Sequence, residues 1–254
     1  EIAPHVFWVG GSDRRLELFE NMFPLPGGVA YNSYLIMDEK VALLDTVDSS
    51  ITRQYFENIE HILDGRTVDY LVINHMEPDH CANIDELCRR FPGMKIVGNK
   101  KTFQMIRQFY DFEFESRICE VKENDELELG EHRLRFYFAP MVHWPEVMFT
   151  YELSQKILFA ADAFGSFGAL PGNLFSDEVD FEDLFLNEAR RYYTNIVGKY
   201  GAQVQAALKK VSGVEIRMIC PLHGPIWRDR IDYILGKYDL WSRYVPEKRG
   251  VVLV

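Results

Sequence analysis

The chain has 254 residues, 47% hydrophobic and 26% charged, with a formal net charge of −11 at pH 7. This length and composition fit one large domain with a substantial core and exclude a disordered chain. The acidic balance argues against binding to nucleic acids and to anionic membrane surfaces, and no apolar run is long enough to span a bilayer.

The first half of the chain predicts strands followed by helices. Apolar runs predict strands over residues 5–9, 31–36, 41–45, 70–73 and 95–97. Apolar residues at a spacing of three and four predict helices over residues 50–63, 83–91 and 101–110.

The second half repeats this order. Strands are predicted over residues 127–129, 134–138, 147–152, 157–160 and 218–221, and helices over 181–200, 202–211 and 229–244. Two sets of strands, each with helices after it, predict an α/β fold of the four-layer αββα type, with two sheets inside and helices outside. We expect residues 1–245 to form this domain. Residues 246–254 are a linker or the start of a further domain, and 251–254 begin a strand or pack on the domain.

The most informative passage is residues 71–80, LVINHMEPDH, where an apolar run ends in potential metal ligands. Alternate residues of an extended segment point the same way, so His75, Glu77 and Asp79 project together, and His80 follows at the turn into a helix. Imidazoles and carboxylates at this density are costly to bury unpaired. A metal ion, or a pair of them, is the simplest physical reason for their presence.

Three further ligand-type residues lie where a predicted strand ends: His143, Asp162 and His223. Loops converge at strand ends, so these side chains are expected to join the first four. Seven ligands are too many for one tetrahedral ion and suit two ions, with Asp162 placed to bridge them. The set holds imidazoles and carboxylates but no thiolate, which favours iron over structural zinc. The other histidines, at positions 5, 61 and 132, are expected to be solvated.

These residues carry a family resemblance. The motif NHMEPDH at residues 74–80 resembles the HxExDH signature of the metallo-β-lactamase-like domain of flavodiiron proteins. Further stretches that resemble the family are residues 28–34, 143–146, 148–151, 162–168 and 223–227. The resemblance covers nearly the whole chain. It implies a first iron held by His75, Glu77 and His143, a second held by Asp79, His80 and His223, Asp162 bridging both, and a bridging oxo or hydroxo group.

Glu77 distinguishes this chain from hydrolytic relatives of the same fold, which have histidine at that place and bind a zinc pair. A carboxylate there favours iron and redox chemistry. The chain departs from the family at Gly27, where many members have a histidine near the substrate pocket. The family also carries a flavodoxin-like domain that binds FMN after the di-iron domain, so FMN is expected only if such a domain or partner is present. Tyr193 is a candidate catalytic hydrogen-bond donor to a bound oxygen species.

The function expected from the resemblance is reduction of O2 to water, of NO to N2O, or of both, which makes the chain an enzyme domain. Its electrons would come from an FMN domain or a flavodoxin- or rubredoxin-like donor. One alternative is an oxygen-binding di-iron sensor that forms a peroxo adduct and contacts a signalling partner; another is a zinc hydrolase. A homodimer is expected from the family. The four cysteines form no CxxC pair, which predicts reduced thiols and a cytoplasmic location.

Overall fold

The structure is a computed structural model and describes residues 1–250, so the strand considered for 251–254 lies outside the described residues. Most of its strands form two sheets. In chain order the strands are β1 (Val6–Trp8), β2 (Gly11–Asp13), β3 (Leu18–Phe19), β4 (Phe23–Pro24), β5 (Val29–Tyr31), β6 (Tyr34–Ile36), β7 (Ala42–Leu44), β8 (Tyr70–Val72), β9 (Lys95–Gly98), β10 (Ile118–Glu120), β11 (Glu126–Glu128), β12 (Arg133–Phe138), β13 (Met148–Glu152), β14 (Ile157–Phe159) and β15 (Met218–Cys220).

The first sheet has the order β1-β6-β7-β8-β9-β10 and the second the order β11-β12-β13-β14-β15. In the first sheet, β7 to β10 run parallel to one another, and in the second, β14 and β15 are parallel. Two small hairpin-like pairs, β2 with β5 and β3 with β4, lie outside the sheets. The parallel strands matter for function, because their carboxyl ends meet at one edge of each sheet.

Alternate residues of the strands enter two different cores, as the two-residue period of a strand requires. In β7, Ala42 and Leu44 belong to a core that also contains residues of the second sheet, whereas Leu43 belongs to the core shared with the helices. Strand β14 alternates in the same way. One core therefore lies between the sheets and the other lies under the helices on the outer faces, which confirms the αββα sandwich.

The helices bury one face each against the outer faces of the sheets. In chain order they are α1 (Thr52–Leu63), α2 (Pro78–Cys81), α3 (Ile84–Arg90), α4 (Lys100–Phe109), α5 (Phe181–Leu184), α6 (Leu186–Tyr192), α7 (Gly201–Val211) and α8 (Ile231–Ser242). The buried residues of α1, Tyr55, Phe56, Ile59 and Leu63, follow the helical spacing predicted for this segment. Among the described residues, no helix combines the length and the apolarity that crossing a membrane demands.

Two predicted elements differ from the structure. The strand predicted over 31–36 is two strands, because Asn32 leaves the ladder and donates through Nδ2 to the carbonyls of Pro221 and Gly224, both at 2.9 Å. The single helix predicted over 181–200 is wrong as well. It breaks at Phe185, continues as α6, and passes into a π-helical turn over Tyr193–Val197 and a 3-10 turn over Gly198–Tyr200.

The break at Phe185 has a packing cause. The ring of Phe181 contacts that of Trp227 at 4.5 Å, and the Phe181 and Phe185 rings stack at 6.1 Å, so both phenylalanines are buried on the same core. A continuous helix is given up to bury these rings, since tertiary packing commonly overrides helix propensity. This break sets the direction in which α6 presents Tyr192.

Candidate metal centre

Seven potential ligands meet beyond the carboxyl ends of strands from both sheets. Four of them have ligand atoms within 4.8 Å of one another, and so have the other three: His75, Glu77, His143 and Asp162 form position one, and Asp79, His80 and His223 form position two. All seven are buried. The structure therefore brings together every metal-ligand candidate that the sequence predicted.

Local structure delivers each ligand from the end of an element. His75 and Glu77 lie in the loop between β8 and α2, while Asp79 and His80 lie in α2. The other three ligands come from the second half of the chain: His143 from the loop between β12 and β13, Asp162 from just after β14, and His223 from just after β15. The site thus lies at the seam between the two sheets.

At position one the donor atoms face a common point. His143 Nε2 lies 3.0 Å from Glu77 Oε2 and 3.0 Å from Asp162 Oδ2, while His75 Nε2 lies 3.2 Å from both Glu77 Oε2 and His143 Nε2. Two donors bonded to one ion at about 2.1 Å lie about 3.0–3.4 Å apart at octahedral or tetrahedral angles. These separations are therefore those of a coordination shell.

Position two repeats this geometry around the other oxygen of Asp162. His80 Nε2 lies 3.0 Å from His223 Nε2 and 3.1 Å from Asp162 Oδ1, and His223 Nε2 lies 3.2 Å from Asp79 Oδ2. Asp162 Oδ2 faces position one and Oδ1 faces position two. A carboxylate divided in this way is placed to bridge two ions.

The tautomers of two histidines leave a lone pair pointing into the cluster. His223 Nδ1 lies 2.8 Å from the backbone carbonyl of Ala30, which can only accept, so Nδ1 donates and a neutral ring keeps its lone pair on Nε2. His75 Nδ1 lies 2.8 Å from Glu146 Oε1 and donates in the same manner. Lone pairs of imidazoles and carboxylates that face one another at these distances repel unless a cation lies between them.

Electrostatic interactions within the cluster also indicate that it requires positive charge. Although burial alone would lower it, the pKa of His75 is raised well above its usual value by the charges of Asp162 and Glu146. The pKa of both His80 and His143 is raised to about 9 against the effect of burial, mainly by Asp79 and Asp162 for His80 and by Asp162 and Glu77 for His143. The carboxylates therefore demand positive charge from protons or from metal ions.

Buried oxygens that lack a hydrogen-bond partner test whether metals fit. Among residues 1–250, such atoms include Glu77 Oε1, both carboxylate oxygens of Asp79, and Asp162 Oδ1. A buried carboxylate oxygen without a partner is costly, and coordination removes that cost. Nitrogen and oxygen donors without a thiolate are a suitable set for iron. The residues present therefore fit a pair of metal ions.

The loop that carries His75 is held from behind by Asp45, a residue that sequence reasoning did not single out. Asp45 Oδ1 accepts from the backbone N–H groups of Asn74 at 2.7 Å and His75 at 3.1 Å, and Oδ2 accepts from the Asn74 side chain at 2.8 Å. Burial raises the pKa of Asp45 to about 6, although these donors oppose the shift. The backbone around His75 is thereby fixed.

Glu146 is a second buried carboxylate that sequence reasoning gave no role. Its Oε1 accepts from both His75 Nδ1 and the Met76 backbone N–H, each at 2.8 Å. Burial opposes ionisation, but the hydrogen bond and the charge of His75 lower the pKa of Glu146. The residue is 71 positions from His75 in the chain, so only the fold reveals the contact.

A cavity of about 490 Å³ opens over the cluster at Glu77 and Asp79. Its apolar walls include Phe19, Tyr31 and Trp144, and the β3–β4 hairpin contributes Glu20 at its tip. Hydrogen bonding to Glu77 raises the pKa of Glu20 to about 8, with burial acting in the same direction. This cavity connects the solvent with Glu77 of position one and Asp79 of position two.

Tyr193, the predicted hydrogen-bond donor, contacts Tyr238 and Trp241, with ring centroids at 5.0 and 5.2 Å. Its neighbour Tyr192 packs its ring against a ligand, His223, with centroids 5.4 Å apart, as Tyr31 does at 5.8 Å. Within residues 1–250, the hydroxyls of Tyr192 and Tyr193 are both buried without a hydrogen-bond partner, so the contact with His223 is what distinguishes Tyr192. The role of Tyr193 stays a prediction, and the geometry at the cluster favours Tyr192.

His132 does not match the expectation of a solvated side chain. It is buried, with Nδ1 2.9 Å from Asp38 Oδ2 and Nε2 2.9 Å from Gln155 Nε2. It belongs to neither group of ligands.

All four cysteines are free thiols, as predicted, and Cys119 is the half-buried one among them.

A protein-family model and a known relative both match this chain. The family model described as "ODP family beta lactamase" matches residues 29–224. An anaerobic nitric oxide reductase flavorubredoxin of Aliivibrio fischeri is 36% identical over 252 residues, which cover 98% of this chain and 50% of that protein.

Two solved structures have the same fold over 96% of this chain at 31% identity. They are the flavodiiron protein from Giardia intestinalis, with a TM-score of 0.90 and 59% of that chain covered, and the rubredoxin oxygen:oxidoreductase from Desulfovibrio gigas, with a TM-score of 0.88 and 61% covered. This chain thus spans between half and about three fifths of the length of these relatives.

Proposed function

Since this chain belongs to the ODP beta-lactamase family and resembles the di-iron domain of flavodiiron proteins, we propose that it is a non-haem di-iron domain that binds and reduces NO or O2. The names of its relatives, a nitric oxide reductase and a rubredoxin oxygen:oxidoreductase, support these two gases as substrates. Reduction to N2O or to water is the finer part of the proposal.

One observation carries the proposal: Asp162 turns one oxygen to each of two ligand groups. His75, Glu77 and His143 would hold the first iron, and Asp79, His80 and His223 the second. Glu77 supports iron over zinc, because its carboxylate adds a hard anionic donor at position one. A bound iron pair supplies electrons and open coordination positions for a diatomic gas.

The surrounding residues prepare the site for this chemistry. Phe19, Tyr31 and Trp144 give the cavity an apolar wall beside the polar side chains of Glu20, Asn21 and Asp48, and an apolar wall suits a small uncharged gas. Asp45 fixes the loop that carries His75. The Tyr192 hydroxyl, which lacks a partner among residues 1–250, is available to donate a hydrogen bond near His223.

The electron donor is proposed to be an FMN-containing flavodoxin-like domain or partner. Large apolar side chains are exposed around the mouth: Leu18 and Met22 on the β3–β4 segment, at 40% and 64%, and Phe109, at 46%, whose ring packs against Trp144. An apolar rim of this kind supports docking of a partner that brings electrons close to the irons. A homodimer and a cytoplasmic location remain predictions.

A single-turnover experiment tests the proposal without a flavin. The apoprotein is loaded anaerobically with Fe²⁺ and mixed with NO, and N2O is measured in the headspace. Two NO, two electrons and two protons give N2O and water, so a fully ferrous pair supplies both electrons. We expect one N2O for each pair of irons and a ferric pair afterwards.

Variants sharpen the experiment. Asp162→Asn should abolish N2O, whereas His132→Gln, a buried histidine outside the cluster, should leave it unchanged. Tyr192→Phe should slow turnover by about 2- to 10-fold, the worth of one hydrogen bond, and Tyr193→Phe should not. A fully iron-loaded protein that neither makes N2O nor consumes O2 would refute the reductase. A long-lived coloured O2 adduct would favour gas sensing instead.

A further inference from the structure

The two metal positions have different surroundings beyond their ligands. At position one, His75 presents Nε2 to the cluster and donates through Nδ1 to the carboxylate of Glu146 at 2.8 Å. Glu146 is fully buried, and its Oε1 is held at the same time by the Met76 backbone N–H. A carboxylate behind a metal-binding imidazole increases the basicity of the ring and fixes its orientation.

In the described part of the chain, no carboxylate is hydrogen-bonded to the Nδ1 atom of either imidazole at position two. His223 Nδ1 donates to the neutral backbone carbonyl of Ala30 at 2.8 Å. His80 Nδ1 is buried and, within residues 1–250, has no hydrogen-bond partner. The two rings at this position are therefore weaker electron donors than His75.

The two positions have equal numbers of carboxylate ligands but differ in the buried carboxylates beyond those ligands. Asp162 is shared, and each position has one further carboxylate ligand, Glu77 or Asp79. Glu146 adds a buried negative charge that is hydrogen-bonded to an imidazole of position one, whereas the other buried carboxylate nearby, Asp45, bonds to Asn74 and to the backbone N–H of His75 and to no ligand ring. Electrostatic interactions with such a charge are strong because the site is buried. The difference favours binding of a cation at position one, and it favours a trivalent ion there more than a divalent one.

We propose that Glu146 is a positioning residue that makes the two positions inequivalent, so that position one binds the first Fe²⁺ and gives up the first electron. This inference rests on the proposed di-iron function. With a ferrous pair bound, an external one-electron oxidant such as ferricyanide would take one electron and be reduced, and the iron held beside His75 would become ferric. The iron held at position two would stay ferrous until a second electron was removed.

Metal titration of a matched pair of variants tests the role of Glu146. Glu146→Gln keeps an oxygen that can accept from His75 and Met76 but removes the charge. Glu152→Gln is the control, because Glu152 is an equally buried carboxylate that accepts from the backbone N–H groups of Ser154 and Gln155, away from the cluster. The probe is Co²⁺, added to the apoprotein and followed by its visible absorption.

We expect two resolved Co²⁺ steps in the unmodified protein and in Glu152→Gln. Glu146→Gln should weaken the first step by about 10- to 100-fold, the usual effect of removing such a supporting partner, and should change the second much less. Equal weakening of both steps, the same effect in the control, or two equivalent steps in the unmodified protein would overturn the inference. Failure to bind two ions at all would instead refute the di-iron proposal.

A measurement on the unmodified protein covers the case in which Glu146→Gln does not fold. The first equivalent of iron is added as ⁵⁷Fe and the second as ⁵⁶Fe, one electron is removed with ferricyanide, and Mössbauer spectra are recorded. The ⁵⁷Fe should be ferric; a ferrous ⁵⁷Fe signal would overturn the inference. In a folded Glu146→Gln protein the first potential should rise, by about 59 mV for each tenfold of ferric preference lost.

Discussion

Loading the apoprotein with metal should raise its thermal stability strongly. The four imidazoles and three carboxylates of the cluster are buried, so without cations they hold protons or repel one another. An ion at 100 times its dissociation constant stabilises a folded protein by about 2.7 kcal/mol, and two such ions give about 5 kcal/mol. For a chain of this size each kcal/mol is worth about 2–4 °C, so we expect the Tm to rise by about 10–20 °C.

Differential scanning fluorimetry of chelator-treated protein, with and without Fe²⁺ or Zn²⁺, measures this shift. His223→Gln removes one ligand from position two and should retain about half of the shift, because position one is intact. His132→Gln should retain all of it, since His132 bonds to Asp38 and Gln155 rather than to the cluster.

A shift of only a few degrees in the unmodified protein would contradict the assignment of two metal positions. So would a His223→Gln protein that keeps the whole shift, because the ring would then not hold an ion. Loss of the shift in His132→Gln would mean that stability reports on general packing instead of metal binding.

Two predictions concern the scaffold. Gly224→Ala places a methyl group at φ +73° against Ser166 Oγ and should lower the free energy of unfolding in urea by about 1–3 kcal/mol, whereas Gly213→Ala, with no atom near its Cβ, should change it little. Equal effects would contradict the argument. Backbone N–H donors, His132 first, lower the pKa of Asp38 to about 2 although burial opposes this. Asp38→Asn should cost about 2 kcal/mol at pH 7 in urea unfolding. The difference from the unmodified protein should shrink as the pH falls from about 4 through 2, since a depressed carboxyl loses its contribution on protonation; a constant difference would contradict the shift.

The ligands were predictable from the sequence because each follows an apolar strand, and strand ends meet at the edge of a sheet. The density of ligand types over residues 75–80 made the prediction specific. Sequence patterns could not identify Glu146 or Asp45, since their contacts join segments far apart in the chain.

The sequence alone could not identify which of two adjacent tyrosines lies near the cluster. Tyr192 and Tyr193 are adjacent, and successive residues of a helix point about 100° apart, so only one of them can face His223. Which one does depends on where the helix breaks, and that break is set by burial of Phe185. The sequence around Phe185 contains no proline or glycine that would predict a helix break.

The origin of the ligands has a consequence for how the domain assembles. Position one takes His75 and Glu77 from the amino-terminal sheet but His143 and Asp162 from the carboxyl-terminal one, and position two likewise depends on His223. A chain divided between the two sheets would leave either fragment with at most two donors for any ion. Tight metal binding would then require the two fragments to associate, because each ion needs ligands from both of them.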